Sequence, residues 1–502
     1  MNYISTRNIT GKSEISSAEA IKNGLAPDGG LYMPQQIPAL SLDDIRRLAA
    51  LPYERRASEI LSMFLTDYDK KALEEDCAEA YSENRFPGGA APVVKISENE
   101  FALELWHGPT CAFKDMALQL MPRLLSGALR KTGEKRRAFI LVATSGDTGK
   151  AALEGYRDVD GVDIMVYYPQ NGVSTVQKLQ MATQEGSNVY VSAVEGNFDD
   201  AQNGVKAIFS DREIAERLSE DGYFLSSANS INWGRLVPQI VYYISAYCDL
   251  VACGDIRFGE EINISVPTGN FGNILAAYIS KEMGLPIHML VCASNVNNVL
   301  TDFLETGVYD RNREFHTTMS PSMDILISSN LERLLYMRCG AERTAVFMKS
   351  LKETGRYEID EETLKSVGRS FTGAYCSEDQ TSETIRHIYE HYNYLIDPHT
   401  AVGVFCADEF MKHTDSNRKM LAVSTASAYK FAPAVYKAIT GVSAQGELEA
   451  LEKLSLLTGT GIPEPLCGIG QRKIRFDPET GVKADKMAEA MFEALSEIRA
   501  RT

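Results

Sequence analysis

Four short stretches of this chain hold residues whose types and spacing could do chemistry. In WHGPTCAFKDMALQLM (106–121) a loop with Gly108 and Pro109 runs into a predicted helix, with Lys114 near its start. The positive end of a helix dipole and apolar neighbours such as Phe113 both disfavour an ammonium ion, which suits a lysine acting as a neutral nucleophile. The plainer alternative is a lysine snorkelling out of a buried helix. PTGNFGN (267–273) lies between a β-rich run and a helix. Consecutive N–H groups there, aimed by a helix start, would cradle an anion, and Gly269 and Gly272 would let the backbone close on a phosphate. The stretch matches neither the dinucleotide G-x-G-x-x-G turn nor the P-loop. SGDTG (145–149) offers the Ser145 and Thr148 hydroxyls and the Asp147 carboxylate; an ordinary Asp helix cap explains it equally well. SSANSINWGR (226–235) groups Asn229, Ser230, Asn232 and Arg235 as an oxyanion grip or a polar loop. Taken together, an amine nucleophile, two glycine turns and an Arg/Asn cluster point to a phosphorylated aldehyde cofactor held through a lysine.

The elements that must position these groups are those of an α/β protein. AFILVAT (138–144), DIMVYYP (163–169), NVYVSAVEG (188–196), NISVP (263–267), IHMLVCAS (287–294) and LAVSTAS (421–427) read as strands. SLDDIRRLAAL (41–51), KAALEGY (150–156), VSTVQKLQMATQEG (173–186), FDDAQNGVKAIFSD (198–211) and the amphipathic KADKMAEAMFEALSEIRART (483–502) read as helices. This alternation implies a mostly parallel sheet, and RFPGGAAPVV (85–94) is a boundary because Pro and Gly break both periodicities.

At 502 residues the chain has room for two to four domains of roughly 100–200 residues. Hydrophobic residues at 44% and charged residues at 24% exclude wholesale disorder. A net charge of −17 argues against nucleic acid or an anionic membrane as the main partner, so attraction for an anionic substrate must be local. The nine cysteines form no CxxC pair, and Cys248 and Cys253 lack a second pair of ligands nearby, so reduced thiols and no metal are expected. Without a signal-like N-terminus or an apolar run long enough to span a bilayer, a cytoplasmic location is the expectation. None of the seven histidines, including His107 and His399 of DPHTAVG (397–403), is assigned chemistry; packing or hydrogen bonding is expected of each.

The order GLAPDGGLYMP (24–34), HGPTCAFKD (107–115), ATSGDTGKAA (143–152), YYPQNGVSTVQKLQM (167–181), ANSINWGR (228–235), PTGNFGN, SPSMDI (320–325) and STASAYKF (424–431) resembles the threonine synthase family of fold-type II (tryptophan synthase β-like) pyridoxal-phosphate enzymes, in its longer bacterial and fungal type. The resemblance implies two parallel-sheet α/β domains plus an N-terminal segment. It places the N-terminal domain at 1–96, a large cofactor-binding domain at 97–130 and 256–502, and a small closing domain at 131–255. Lys114 is implied as the lysine that condenses with pyridoxal 5'-phosphate. Gly269, Asn270, Phe271, Gly272 and Asn273 are implied as the loop on the cofactor phosphate, and Thr425 as the hydroxyl at the pyridine nitrogen. Thr144, Ser145, Asp147, Thr148, Asn229, Ser230 and Arg235 match positions that bind the substrate's carboxylate or phosphate or line the cofactor ring. Many relatives read TAHPAKF where this chain has Thr425 to Phe431, so no histidine role carries over there. The implied reaction takes O-phospho-L-homoserine and water to L-threonine and phosphate, in a monomer or homodimer. Threonine dehydratase, another fold-type II lyase, and a silent cofactor-binding relative are the competing readings.

Overall fold

Continuous apolar runs are what a parallel sheet covered on both faces requires, and two such sheets form. Residues 1–9, 14–414 and 417–501 are described in this computed structural model. The six-stranded sheet runs in the order Phe371–Tyr375, Ile287–Ser294, Ile262–Pro267, Met420–Ser424, Glu100–Glu104, Val93–Lys95. Only its last pair is antiparallel. The five-stranded sheet is parallel throughout, in the order Gly481–Lys483, Val189–Glu195, Val162–Pro169, Arg137–Ala143, Tyr223–Ser226. Ile262–Pro267 and Val162–Pro169 are buried at every residue.

Strand order decides where the chemistry collects. Ile262–Pro267, Met420–Ser424 and Glu100–Glu104 are consecutive neighbours in one sheet. Their carboxyl ends therefore bring PTGNFGN, STASAYKF and HGPTCAFKD together, the place where open α/β sheets hold ligands. In the other sheet Arg137–Ala143 and Tyr223–Ser226 are neighbours, so SGDTG and SSANSINWGR emerge side by side. The helix Asp147–Tyr156 joins the two groups by packing on the helix Lys114–Leu118. The contact is close because Gly155 has no side chain; a Cβ there would run into the Leu118 carbonyl oxygen.

The N-terminal helices pack on Trp233–Ala252, a 20-residue helix buried on nearly all sides. Arg56 fixes them, donating to Asp249 at 2.6 Å and to the Ser245 hydroxyl at 2.8 Å. Trp233–Ala252 packs on helices of the larger unit, because its apolar surface matches Gly272–Met283 and the N-terminal helices. The chain end returns to the five-stranded sheet. There Gly481–Lys483 pairs with Val189–Glu195, and Met487, Met491 and Leu495 of the last helix cover Phe139, Met165 and Tyr167. The expected strands and helices otherwise form within a few residues of their predicted limits.

The helix contact at Gly155 yields a test. Gly155→Ala should lower stability by about 1–3 kcal/mol through overpacking, read as a lower urea midpoint. An unchanged midpoint would show that the two units do not meet there.

Candidate active site

The loop carrying Lys114 is pinned before the helix begins. Phe113 N–H donates to the Thr425 carbonyl at 2.8 Å, and Ser427 N–H donates to the Cys111 carbonyl at 3.1 Å. Thr110 donates to Asp115 through its N–H and its hydroxyl, at 2.8 and 2.7 Å. Gly108 is required here, since a Cβ would stand 2.5 Å from the Asp115 carboxylate. Lys114 is the first residue of the five-residue helix Lys114–Leu118 and is buried. Its Nζ lies 3.0 Å from the Ser322 hydroxyl and 3.5 Å from Asp147 Oδ2. Burial drives the amine's pKa down, and repulsion from Lys430 and Arg235 adds to the shift while Asp147 opposes it. A neutral amine is thus favoured as expected. The cause is desolvation, because one turn of helix carries little dipole.

Asp147 is held by two lysines and a glutamine. Its Oδ1 receives Lys430 Nζ at 2.8 Å and Gln177 Nε2 at 2.7 Å, and its Oδ2 faces Lys114. Burial alone would raise its pKa, but the Lys430 and Lys114 ammonium groups overrule it and hold the carboxyl well below the usual range. Such a carboxylate repels an anionic ligand; it acts as the counter-ion of two lysines. Gly146 at φ 142° admits Gln177, whose side chain fills the place of a Cβ. Thr144 Oγ1 accepts from the N–H groups of Gly146 and Gly149 at 3.0 and 2.9 Å, shaping the turn. Ser145 is exposed and Thr148 half-buried on that same turn.

A second uncapped helix start follows the strand Ile262–Pro267. Phe271 adopts a left-handed φ of 62° and starts the helix Gly272–Met283, whose N-terminus has no side-chain cap. Its first N–H groups lack intrahelical partners. Asn273 Nδ2 donates to the Pro267 carbonyl at 2.9 Å and closes the turn. Gly269 lies against Ser322, where a Cβ would stand 2.5 Å from the carbonyl oxygen. Asn330 Nδ2 bridges two loops, donating to the Asn270 carbonyl at 3.0 Å and the Ser230 carbonyl at 3.2 Å. Asn229 is exposed in the second loop. Asn232 is a structural residue that caps its helix at Gly234 N–H and holds the Ile21 carbonyl.

Arg235 is buried, and its Nη1 donates to the Ala228 carbonyl at 2.7 Å. Its Nε has no hydrogen-bond partner, and among the described residues no acidic side chain pairs with it. Burial lowers its pKa to about 10. Direct contacts thus join Lys114, Asp147 and the Gly269 loop around Ser322, and tie Thr425 to the lysine loop. Ser145, Thr148, Asn229 and Ser230 lie on flanking turns without touching Lys114. Ser322, Gln177, Asn330 and Lys430 had no predicted role, although Ser322, Gln177 and Lys430 lie inside the motifs SPSMDI, YYPQNGVSTVQKLQM and STASAYKF. No group of three His, Cys, Asp or Glu side chains among the described residues could hold a metal. No helix among them is long and apolar enough to cross a membrane.

Comparison with known proteins agrees with this geometry. Family models match at residues 2–81 (threonine synthase N terminus), 88–426 (pyridoxal-phosphate dependent enzyme) and 400–476 (threonine synthase, C-terminal). Threonine synthase of Pseudomonas aeruginosa is 40% identical over 88% of this chain and 91% of its own length. The chain belongs to the threonine synthase family. A threonine synthase from Brucella melitensis, solved with pyridoxal phosphate bound, superposes with a TM-score of 0.86 at 39% identity, covering 98% of this chain and 99% of that one. Human threonine synthase-like 1 is 41% identical over 87% of this chain, which spans only 60% of that relative. The fold is that of the family's fold-type II pyridoxal-phosphate enzymes. The residues fit the family's cofactor: Ser322 links a buried amine to the glycine turn before an uncapped helix start, whose free N–H groups suit a phosphate. Gly272 in particular has nothing nearer than 3.5 Å to a Cβ position.

The shared counter-ion makes a prediction for this family member. Lys430→Met removes a like charge that lowers the Lys114 pKa and leaves Asp147 to Lys114 alone, so that pKa rises. The pH midpoint for uptake of pyridoxal phosphate by the apoprotein, read as growth of visible absorbance, should move up by about one unit. An unmoved midpoint in a folded variant would contradict the coupling.

Proposed function

We propose that this protein is a pyridoxal-phosphate-dependent threonine synthase, a carbon–oxygen lyase that converts O-phospho-L-homoserine and water to L-threonine and phosphate. The observation that carries the reading is a buried amine, Lys114, in the field of a buried guanidinium, Arg235, that makes no ion pair and feels the Asp115 carboxylate only at longer range. A buried cation without a paired counter-ion is costly unless a ligand supplies the charge. A phosphorylated amino acid does so.

Bound pyridoxal phosphate supplies an electron sink for the negative charge left when a proton leaves the substrate's Cα. Gly269, Asn270, Phe271, Gly272 and Asn273 would hold the cofactor phosphate through main-chain N–H groups and the helix start. The Thr425 hydroxyl would serve as the neutral partner of the pyridine nitrogen. Lys114, whose pKa burial lowers, takes the proton from Cα and one from Cβ, which lets phosphate leave Cγ; protons then return to Cγ and Cα as water adds its oxygen at Cβ. Arg235 binds the substrate's anionic group, with Thr144, Ser145, Thr148, Asn229 and Ser230 as hydrogen-bonding neighbours. Asp147 works through the lysines instead, holding the Lys114 amine in place. Closure of the five-stranded-sheet unit, which includes the returning chain end, would exclude water until phosphate has left.

Arg235→Ala should reduce phosphate release from O-phospho-L-homoserine by about a hundredfold or more. Phosphate release and ammonia release from L-threonine are measured together. Undiminished phosphate release in the variant would overturn the proposal, as would a wild-type protein that only deaminates threonine.

A further inference from the structure

Asp397 and His399 form a buried pair outside every predicted site residue; Asp397 is fully buried and His399 is 2% exposed. Asp397 caps the helix Pro398–His413, accepting Thr400 N–H through Oδ1 at 3.0 Å and His399 N–H through Oδ2 at 3.0 Å. The same Oδ2 lies 2.6 Å from His399 Nδ1. At the other end of the ring, His399 Nε2 lies 3.1 Å from the backbone nitrogen of Ser322. A backbone N–H can only donate, so Nε2 is an acceptor and the ring proton sits on Nδ1, facing the carboxylate. The Phe431 ring packs edge-on against the imidazole at 4.9 Å and fixes its plane.

Ser322 is the middle residue of the single turn Pro321–Met323. It touches three parts of the site at once. Its N–H meets His399, its carbonyl oxygen abuts Gly269, and its hydroxyl lies 3.0 Å from the Lys114 amine. We propose that the Asp397–His399 pair is a positioning device that holds Ser322 through its backbone N–H, so that the Ser322 hydroxyl orients the Lys114 amine. His399 never meets the reacting atoms; it acts only through Ser322. Without it, the half-buried Ser322 N–H loses its acceptor, and the turn must shift to find another. A displacement of about 1 Å at a reacting group is enough to cost about a hundredfold in rate.

The inference rests on Lys114 being the cofactor lysine, and the test separates the two ideas by starting in the apoprotein. Acetic anhydride labels neutral amines, and peptide mass mapping gives the rate at Lys114. A hydroxyl that accepts from the ammonium form favours that form, so losing it frees more neutral amine. Ser322→Ala should raise the Lys114 labelling rate about threefold or more, and His399→Asn, too short to reach Ser322, should raise it by the same factor. The double variant should match either single one, as expected of residues acting through one contact. His399→Gln, whose amide can accept from Ser322 and donate to Asp397, should restore the wild-type rate. In the loaded enzyme, His399→Asn should lower kcat by about tenfold to a hundredfold with KM little changed. The device is refuted if the two single effects multiply, if His399→Asn leaves Lys114 labelling at the wild-type rate, or if His399→Gln fails to rescue. A wild-type protein that takes up no pyridoxal phosphate would sink the cofactor reading and leave the labelling result standing on its own.

Discussion

Two buried lysines share one buried carboxylate, and a buried arginine stands nearby without an acidic partner. The rest of the site depends on that imbalance. Lys430 and Gln177 occupy one oxygen of Asp147, so Lys114 has only part of a counter-ion, and burial tips its amine toward the neutral form. Three cationic side chains face two buried carboxylates, Asp147 and Asp115, and the positive charge left over is what an anionic cofactor and an anionic substrate would neutralise. A chain with a net charge of −17 repels such ligands at long range and must draw them in by these few desolvated cations.

The fold makes this arrangement possible by strand order. Lys114, the Gly269 loop and Thr425 come from three parts of the sequence more than 100 residues apart. They meet because their strands are adjacent and parallel and must release their loops at the same edge. Backbone bonds from the Thr425–Ser427 segment to the lysine loop then set the amine's height over that edge. Asp147 arrives from the other sheet, and its distance from Lys114 is governed by how closely the two helices pack at Gly155. Ser322 closes the group by filling the gap between the amine and the glycine turn.

Much of this was legible in the sequence, because it is local. Apolar runs bounded by glycine turns locate strands and helix starts, and HGPTCAFKD, SGDTG and PTGNFGN mark the turns that carry function. The long-range partners were not legible. Asn330 bridges two loops that lie about 60 and 100 residues before it, and no periodicity or spacing announces that contact. Lys430 looked like one more lysine in a motif until its burial on Asp147 was visible. The chain end shows the same limit: 483–502 reads as an amphipathic helix from any local window, and only the pairing of Gly481–Lys483 with Val189–Glu195 shows which sheet the end covers. Asp147 illustrates the converse. Its position was found, but its role follows from partners that the sequence does not place beside it.

The central claim is that one particular amine, its pKa lowered by burial, bonds covalently to pyridoxal phosphate. Borohydride reduction of the cofactor-loaded protein followed by peptide mass mapping tests it directly. A pyridoxyl adduct on Lys114, absent from a Lys114→Ala variant, is the expected result. An adduct on Lys430 or any other lysine, or no adduct in protein saturated with the cofactor, would contradict the account.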